Sequence, residues 1–187
     1  MAPIEVFFGV IVFVFALIGL ARGFLKELGV TTVMMAILFF LSRFERFLDA
    51  GLMRALSIGG GQLSSPQNIE VVKCYFFIFV IIGAAFISYQ GETLAFGGEP
   101  PRGTQGILLG LLTGALNGYL IAGSIWFYMD KFHYPLTWLG FSADKLSPLA
   151  RNLVAFLPIS FLGQPILFGQ SLLLYLTVFL IVARVVR

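Results

Sequence analysis

Two residue types that metal and group-transfer chemistry rely on occur once each in the chain, as His133 and Cys74. Histidine is a common metal ligand, and near a membrane surface His133 could also ligate haem or a pigment. One cysteine and one histidine cannot complete a closed zinc site. The chain contains neither the His-Glu-x-x-His motif of zinc hydrolases nor the Gly-x-Ser-x-Gly elbow of serine hydrolases. We therefore expect no enzyme activity, no metal site and no cofactor, and we keep His133 as the one candidate ligand.

Polar side chains inside apolar runs are the second place where chemistry would be found, because a polar group in hydrocarbon is costly and often functional. Asp49 and Asp130 flank apolar runs, and we expect them to be solvated. The spans defined below contain no carboxylate, so we expect no intramembrane acid pair. Asn117 lies in the middle of an apolar run, with Thr113 one turn earlier. A buried amide needs a hydrogen-bond partner, and we expect a structural role, with another helix, a lipid or a subunit as that partner.

The elements that carry these residues are membrane spans. Hydrophobic residues make up 59% of the 187-residue chain and charged residues 11%, whereas soluble domains carry about 25% charged residues. Uncharged runs of about 18 or more apolar residues predict transmembrane helices, and the chain has several. The net charge of +3 comes from cations scattered singly beside these runs, so we expect a lipid bilayer as partner and no nucleic acid.

These runs predict an all-α, polytopic bundle of four or five transmembrane helices that forms a single membrane domain over residues 1–187. Four cations, at the ends of the first and last runs, are expected to anchor the bundle at the membrane surface: Arg22, Lys26, Arg184 and Arg187. The spans are placed at residues 4–21, 28–42, 71–90, 105–129 and 165–183.

The second span and the stretch after it need separate comment. Residues 28–42 would give a helix of only ~22 Å, against a hydrocarbon core of about 30 Å. This segment therefore either crosses a locally thinned bilayer or enters the membrane and returns. In residues 43–56 apolar side chains recur every three or four positions among charged ones, which predicts an amphipathic helix lying in the membrane interface.

A column of small residues in the fourth span is the sharpest local pattern. On a helix, residues four apart share one face, and small residues there let two helix backbones approach closely. Gly19 and Gly23 in the first span have the same spacing, and residues 83–85 of the third span are also small. Packing within the chain, against the first or the third span, is therefore one interpretation, and contact with another subunit is the other. The column comprises Gly106, Gly110, Gly114, Gly118 and Ala122.

Two stretches resemble a known family. The first span ends in Arg22-Gly23-Phe24 followed by Glu27, and the glycine-rich span runs from Gly103 to Asp130. Together they resemble the colicin V production protein (CvpA) family of small bacterial inner-membrane proteins over roughly residues 4–130. The chain departs from the family pattern at Thr104-Gln105, where an acidic–basic pair is common, and at Asn117, where many members have arginine. The resemblance implies a multi-pass protein of the bacterial inner membrane with its N-terminus outside.

The expected function follows from the near absence of charged side chains in the predicted spans, which leaves them able to pack but without groups for catalysis. We expect a non-catalytic scaffold or accessory subunit that packs against other membrane-protein subunits, for instance in a photosynthetic or respiratory complex. The chain contains 21 phenylalanines, whose rings could contact lipid, a pigment or a quinone. The alternative is a transporter or export component for a small solute or peptide, with Asn117 and the proline breaks at Pro158 and Pro165 as its only candidate features.

Overall fold

The computed structural model describes residues 3–59, 66–90 and 96–185. Most of these residues are helical, so the prediction of an all-α bundle is confirmed. A short antiparallel hairpin interrupts the helices near the C-terminus. In chain order the elements are α1 (Ile4–Arg22), α2 (Phe24–Gly59), α3 (Pro66–Gln90), α4 (Gly103–Lys131), α5 (Pro148–Val154), α6 (Pro158–Leu162), β1 (Pro165–Leu167), β2 (Gln170–Ser171) and α7 (Leu172–Val185).

Four helical segments within the described residues are long and apolar enough to cross a bilayer. They make the chain a multi-pass membrane protein. α1 and α4 form the most extensive helix pair, and α4 also packs on α2 and α3, so α4 is the central helix of the bundle. The four segments are Ile4–Arg22, Phe24–Glu45, Asn68–Gln90 and Gly103–Lys131.

The second span differs from the prediction at both ends. α2 begins at Phe24 and continues without a break to Gly59, so residues 43–56 extend α2 and are not a separate helix. No glycine or proline stands between Val30 and Ala50 to end the hydrogen-bond ladder. The membrane-crossing part is Phe24–Glu45, with 22 residues, or ~33 Å as a helix. The predicted shortfall in length disappears because residues 24–27 and 43–45 also belong to the span.

The predicted fifth span at residues 165–183 is wrong in its first part. β1 pairs with β2 there, and the turn between them places Phe168 and Gly169 at positive φ. Only Leu172–Val185 is helical, with 14 residues, or ~21 Å, which is shorter than a bilayer core. α7 packs along α2 instead.

α5 and α6 form a short helical hairpin against α4. Pro158 begins α6 and packs on Gly123, two turns before the end of α4 and therefore ~12 Å along the helix from Lys131. Near the tip of the hairpin, the Tyr119 hydroxyl donates to the Phe156 carbonyl oxygen at 2.5 Å. The hairpin thus enters the bundle from the Lys131 end and returns to it, and Tyr119 satisfies one carbonyl that the break leaves open.

Candidate functional site

A carboxylate lies buried among the spans. Glu27 stands in the first turn of α2 and has 0% of its surface exposed. The expectation that the spans carry no carboxylate is therefore wrong. Glu27 lies one residue before the predicted start of the second span at residue 28, but it belongs to the first turn of α2, which turns it inward. Burying an ionised carboxylate is costly unless it is paired and hydrogen-bonded, so its neighbours define the candidate site.

Three side chains from three other helices hold the Glu27 carboxylate. Arg22 of α1 lies with Nη1 3.2 Å from Oε1. The Tyr89 hydroxyl of α3 donates to Oε2 at 2.8 Å, and Asn117 Nδ2 of α4 donates to the same oxygen at 2.8 Å. One carboxylate of α2 is thus linked to each of the other three spans. Charge-assisted hydrogen bonds of this kind are about twice as strong as neutral ones.

Asn117 makes a second set of contacts with α2. Its Nδ2 also donates to the Glu27 carbonyl oxygen at 3.0 Å, and Thr31 Oγ1 donates to Asn117 Oδ1 at 2.7 Å. Carboxylate and carbonyl oxygens only accept hydrogen bonds, so the amide nitrogen must face Glu27 and the amide oxygen must face Thr31. Asn117 and Glu27 have no exposed surface. In this conformation a solute cannot touch either side chain.

The turn between α1 and α2 brings Arg22 to Glu27. Gly23 adopts φ 87° there, a region that residues with a side chain rarely occupy. The guanidinium of Arg22 also lies 4.6 Å from the centre of the Tyr89 ring, within range for a cation–π contact. The Arg22 side chain is 24% exposed, so it connects the buried carboxylate to the membrane surface. We name Arg22, Glu27, Thr31, Tyr89 and Asn117 the Glu27 cluster.

The other predicted anchors lie elsewhere. Lys26 is exposed beside the cluster. Arg184 is half-buried near the end of α7, where it lines a cavity with Thr32 and Val33 of α2. Arg187 lies outside the described residues. Of the three predicted anchors within the described residues, Arg22 alone contributes to the buried cluster.

The column of small residues packs against α1 of the same chain. A Cβ added at Gly19 would stand 2.3 Å from the carbonyl oxygen of Gly110 and 2.6 Å from Cα of Gly114. A Cβ at Gly114 would stand equally close to the carbonyl oxygen of Phe15. Cα of Gly23 also lies close to Gly110. The backbones of α1 and α4 are therefore in direct contact, and this contact fixes the depth at which Arg22 and Asn117 meet Glu27.

The remaining members of the column have different neighbours. Gly118 packs on Phe15 and Val12 of α1, whereas Gly106 faces the carbonyl oxygen of Pro101 in the linker before α4. Ala122 is buried and lines a groove beside the first half of α1. Gly110, Gly114 and Gly118 thus face α1, whereas Gly106 faces the linker.

Thr113 and His133 are not part of the cluster. Thr113 Oγ1 donates to the Leu109 carbonyl oxygen of its own helix at 2.6 Å, and Thr31 takes the place beside Asn117. His133 is exposed just after α4, at φ 58°. Burial raises the pKa of the neighbouring Tyr134, whose hydroxyl accepts from Trp126. Across residues 3–59, 66–90 and 96–185, no group of three or more His, Cys, Asp or Glu side chains is arranged to hold a metal ion.

Sequence reasoning named Arg22 and Asn117 but missed three members of the cluster: Glu27, Thr31 and Tyr89. A signal for Glu27 was available, since a glycine between an arginine and a glutamate at a predicted helix–helix turn allows the two charges to meet. Thr31 also lies four residues after Glu27, on the same face of a helix. Tyr89 had no such signal, because its position depends on how α3 packs.

The contribution of the Thr31 hydroxyl can be measured against its neighbour Thr32. Thr31→Val removes the donor to Asn117 and is expected to lower the free energy of unfolding in detergent micelles by about 1 kcal/mol. Thr32→Val is the matched control, because the Thr32 hydroxyl donates only to the Leu28 carbonyl oxygen of its own helix. Equal effects of the two substitutions would show that the bond to Asn117 contributes nothing.

Comparison with protein-family models, curated proteins and solved structures gave no match for the chain. The site is therefore interpreted from its own chemistry. It contains one carboxylate, one guanidinium and three neutral hydrogen-bonding groups, each with a partner. Such an arrangement can hold four helices in register.

Proposed function

We propose that the chain is a non-catalytic, multi-span scaffold or accessory subunit that packs against other membrane proteins. One observation carries this proposal: the charged and amide groups of the Glu27 cluster point into the bundle and are satisfied there, while the outward faces of the spans are apolar. A protein of this kind presents an apolar surface of fixed shape, against which a neighbouring membrane protein can pack. Its internal hydrogen bonds keep that shape fixed.

The outward face of α1 is the surface that we propose for a partner helix. Its apolar side chains Val6, Val10, Phe13 and Leu17 follow helical spacing and are all strongly exposed, Phe13 at 63%. The opposite face of α1 is held against α4 by Gly19. A partner that docks on α1 would therefore meet a rigid pair of helices, which lowers the entropic cost of association.

The resemblance to the CvpA family supports a location in the bacterial inner membrane, which we include in the proposal. Photosynthetic and respiratory complexes of that membrane are the assemblies in which we would first look for the chain. Their pigments and quinones are flat, apolar ligands that could lie against phenylalanine side chains such as Phe13. Identification of proteins that copurify with the chain in mild detergent tests this part.

The scaffold proposal predicts the size of the particle purified from native membranes. Extraction in mild detergent followed by light scattering should give a protein mass well above the 20.6 kDa of one chain. Phe13→Ala should reduce the fraction of chain in the larger particle, because it removes the largest side chain of the proposed surface. Phe179→Ala, at an equally exposed position on α7, is the control and should leave the fraction unchanged. A lone monomer in the unsubstituted protein would contradict the proposal.

Transport is the second candidate, and two observations favour it. Glu27 is an ionisable residue buried within a span, and such residues often mark ion or proton pathways. The α5–α6 hairpin is a broken helical element packed against α4, as is common in transporters. Proteoliposomes loaded with a pH-sensitive dye test this candidate. Proton flux that disappears in Glu27→Gln would support it, whereas flux equal to that of empty liposomes would favour the scaffold.

A further inference from the structure

The four spans define two ends of the bundle, one at each membrane surface. Lys131 of α4 forms an ion pair with Glu45 of α2, with 2.6 Å between Nζ and Oε2, so these two spans end at the same surface. The start of α1 lies there too, because Ser147, in the segment after α4, donates to the Glu5 carboxylate. We call this the Lys131 end. The opposite end, with the α1–α2 turn and the linker before α4, is the Arg22 end.

Lysine and arginine are unevenly divided between the two ends. Seven of the 12 in the chain lie at the Lys131 end: Arg43, Arg46, Arg54, Lys73, Lys131, Lys145 and Arg151. The Arg22 end has three: Arg22, Lys26 and Arg102. Arg184 lies beside Thr32 and Val33, inside the second span, and belongs to neither surface. The Lys131 end would keep its excess even if Arg184 and Arg187 were both counted at the Arg22 end.

The cations of the two ends also differ in their ion pairs. At the Arg22 end, both Arg22 and Arg102 are paired with a glutamate of the same chain. Three exposed cations of the Lys131 end take part in no ion pair within the part of the chain that the structure describes: Arg43, Lys145 and Arg151. Among the described residues of the Arg22 end, Lys26 alone is in this position. Exposed cations at a membrane surface are attracted to anionic lipid headgroups.

We propose that the Lys131 end faces the cytoplasm, with its exposed cations among the anionic phospholipid headgroups of the cytoplasmic leaflet. Multi-span proteins carry their excess of lysine and arginine in short cytoplasmic connections, and that leaflet has the more negative surface potential. The N-terminus is then inside, contrary to the orientation that the CvpA resemblance implies. The part of α2 beyond Glu45 and residues 132–157 lie on the cytoplasmic side, whereas the partly exposed Arg22 opens to the outer side. The orientation is the same whether the chain is a scaffold or a transporter.

Cysteine labelling from each side of the membrane tests the orientation. Glu99→Cys places a thiol in the exposed linker of the Arg22 end, and Asp144→Cys places one at an exposed position of the Lys131 end. A membrane-impermeant maleimide should label Glu99→Cys in bacterial spheroplasts and Asp144→Cys only in inverted membrane vesicles. The unsubstituted chain is the blank, because Cys74, its one thiol, is buried. The reverse pattern, or labelling of either site from both sides, would overturn the proposal.

A combined variant tests whether the exposed cations set the orientation. It replaces three of them by glutamine: Arg43→Gln, Lys145→Gln and Arg151→Gln. Four cations then remain at the Lys131 end against three at the other, so about half of the chains should insert inverted, and Asp144→Cys in this background should become labelled in spheroplasts. Lys26→Gln with Arg102→Gln is the control, because it removes cations from the Arg22 end and should leave Asp144→Cys unlabelled there. An unchanged labelling pattern in the combined variant would contradict the role given to the three cations.

Discussion

Glu27→Leu is expected to lower the free energy of unfolding by about 3 kcal/mol, the lower end of the range for breaking a buried ion pair. The substitution removes the acceptor of Tyr89 and one acceptor of Asn117, and it leaves the Arg22 guanidinium without its counter-ion. The lower end applies because Arg22 can reach water from the end of α1. Circular dichroism during denaturant unfolding in mixed micelles measures the change.

Two further variants separate the charge pair from general damage to the bundle. Arg22→Met combined with Glu27→Leu replaces the pair by apolar groups and should recover part of the loss, because no charge remains uncompensated. Glu99→Leu removes the carboxylate of the exposed Arg102–Glu99 pair and should change stability little, since exposed pairs contribute at most about 1 kcal/mol. A loss in Glu27→Leu no larger than that in Glu99→Leu would show that the buried pair does not stabilise the fold.

Gly19→Ala is expected to destabilise the protein by a comparable amount, about 3 kcal/mol. The added methyl group would overlap the Gly110 carbonyl oxygen and Cα of Gly114. Both are backbone atoms, which cannot rotate away, so α1 and α4 would have to separate. Separation would also pull Arg22 away from Glu27, because Arg22 lies one turn after Gly19 on α1.

Gly9→Ala is the matched control on the same helix. A Cβ at Gly9 would meet no atom within 4 Å, and alanine is a better helix former than glycine by about 0.5–1 kcal/mol. We therefore expect Gly9→Ala to be neutral or slightly stabilising in the same unfolding experiment. Similar losses for the two substitutions would indicate a general intolerance of α1 to alanine and would contradict the backbone contact.

The sequence predicted the helical membrane bundle well, because long apolar runs define membrane spans and can be read directly from the sequence without knowing how the helices pack. The sequence-based prediction was wrong where a charged residue was interpreted as the end of a membrane span. Glu27 stands between two apolar runs and resembles a flank residue, but burial depends on the direction in which the helix turns it, and that direction is set by packing. The continuous helix across Ser42 was not predicted either, because the charged residues among positions 43–56 indicated a separate helix in the membrane interface.

The small-residue column shows a second limit of sequence reasoning. Spacing alone predicts that a face such as that of Gly110 and Gly114 can receive another helix, but it does not say which one. The matching spacing of Gly19 and Gly23 pointed to α1, and the structure places α1 there. The hairpin at Pro165–Leu167 had no comparable pattern, because its apolar residues resemble those of a span and only the pairing with β2 distinguishes them.

Modification by dicyclohexylcarbodiimide tests most directly whether Glu27 is an enclosed link between helices. This apolar reagent modifies carboxyl groups that it can reach from lipid and that bind a proton. Peptide mass spectrometry after treatment of the protein in bilayers should find Glu27 unmodified, and treatment of the unfolded protein should modify it. Modification of Glu27 in the intact bilayer protein would contradict the account, because it would show a carboxyl group that is exposed and exchanges protons.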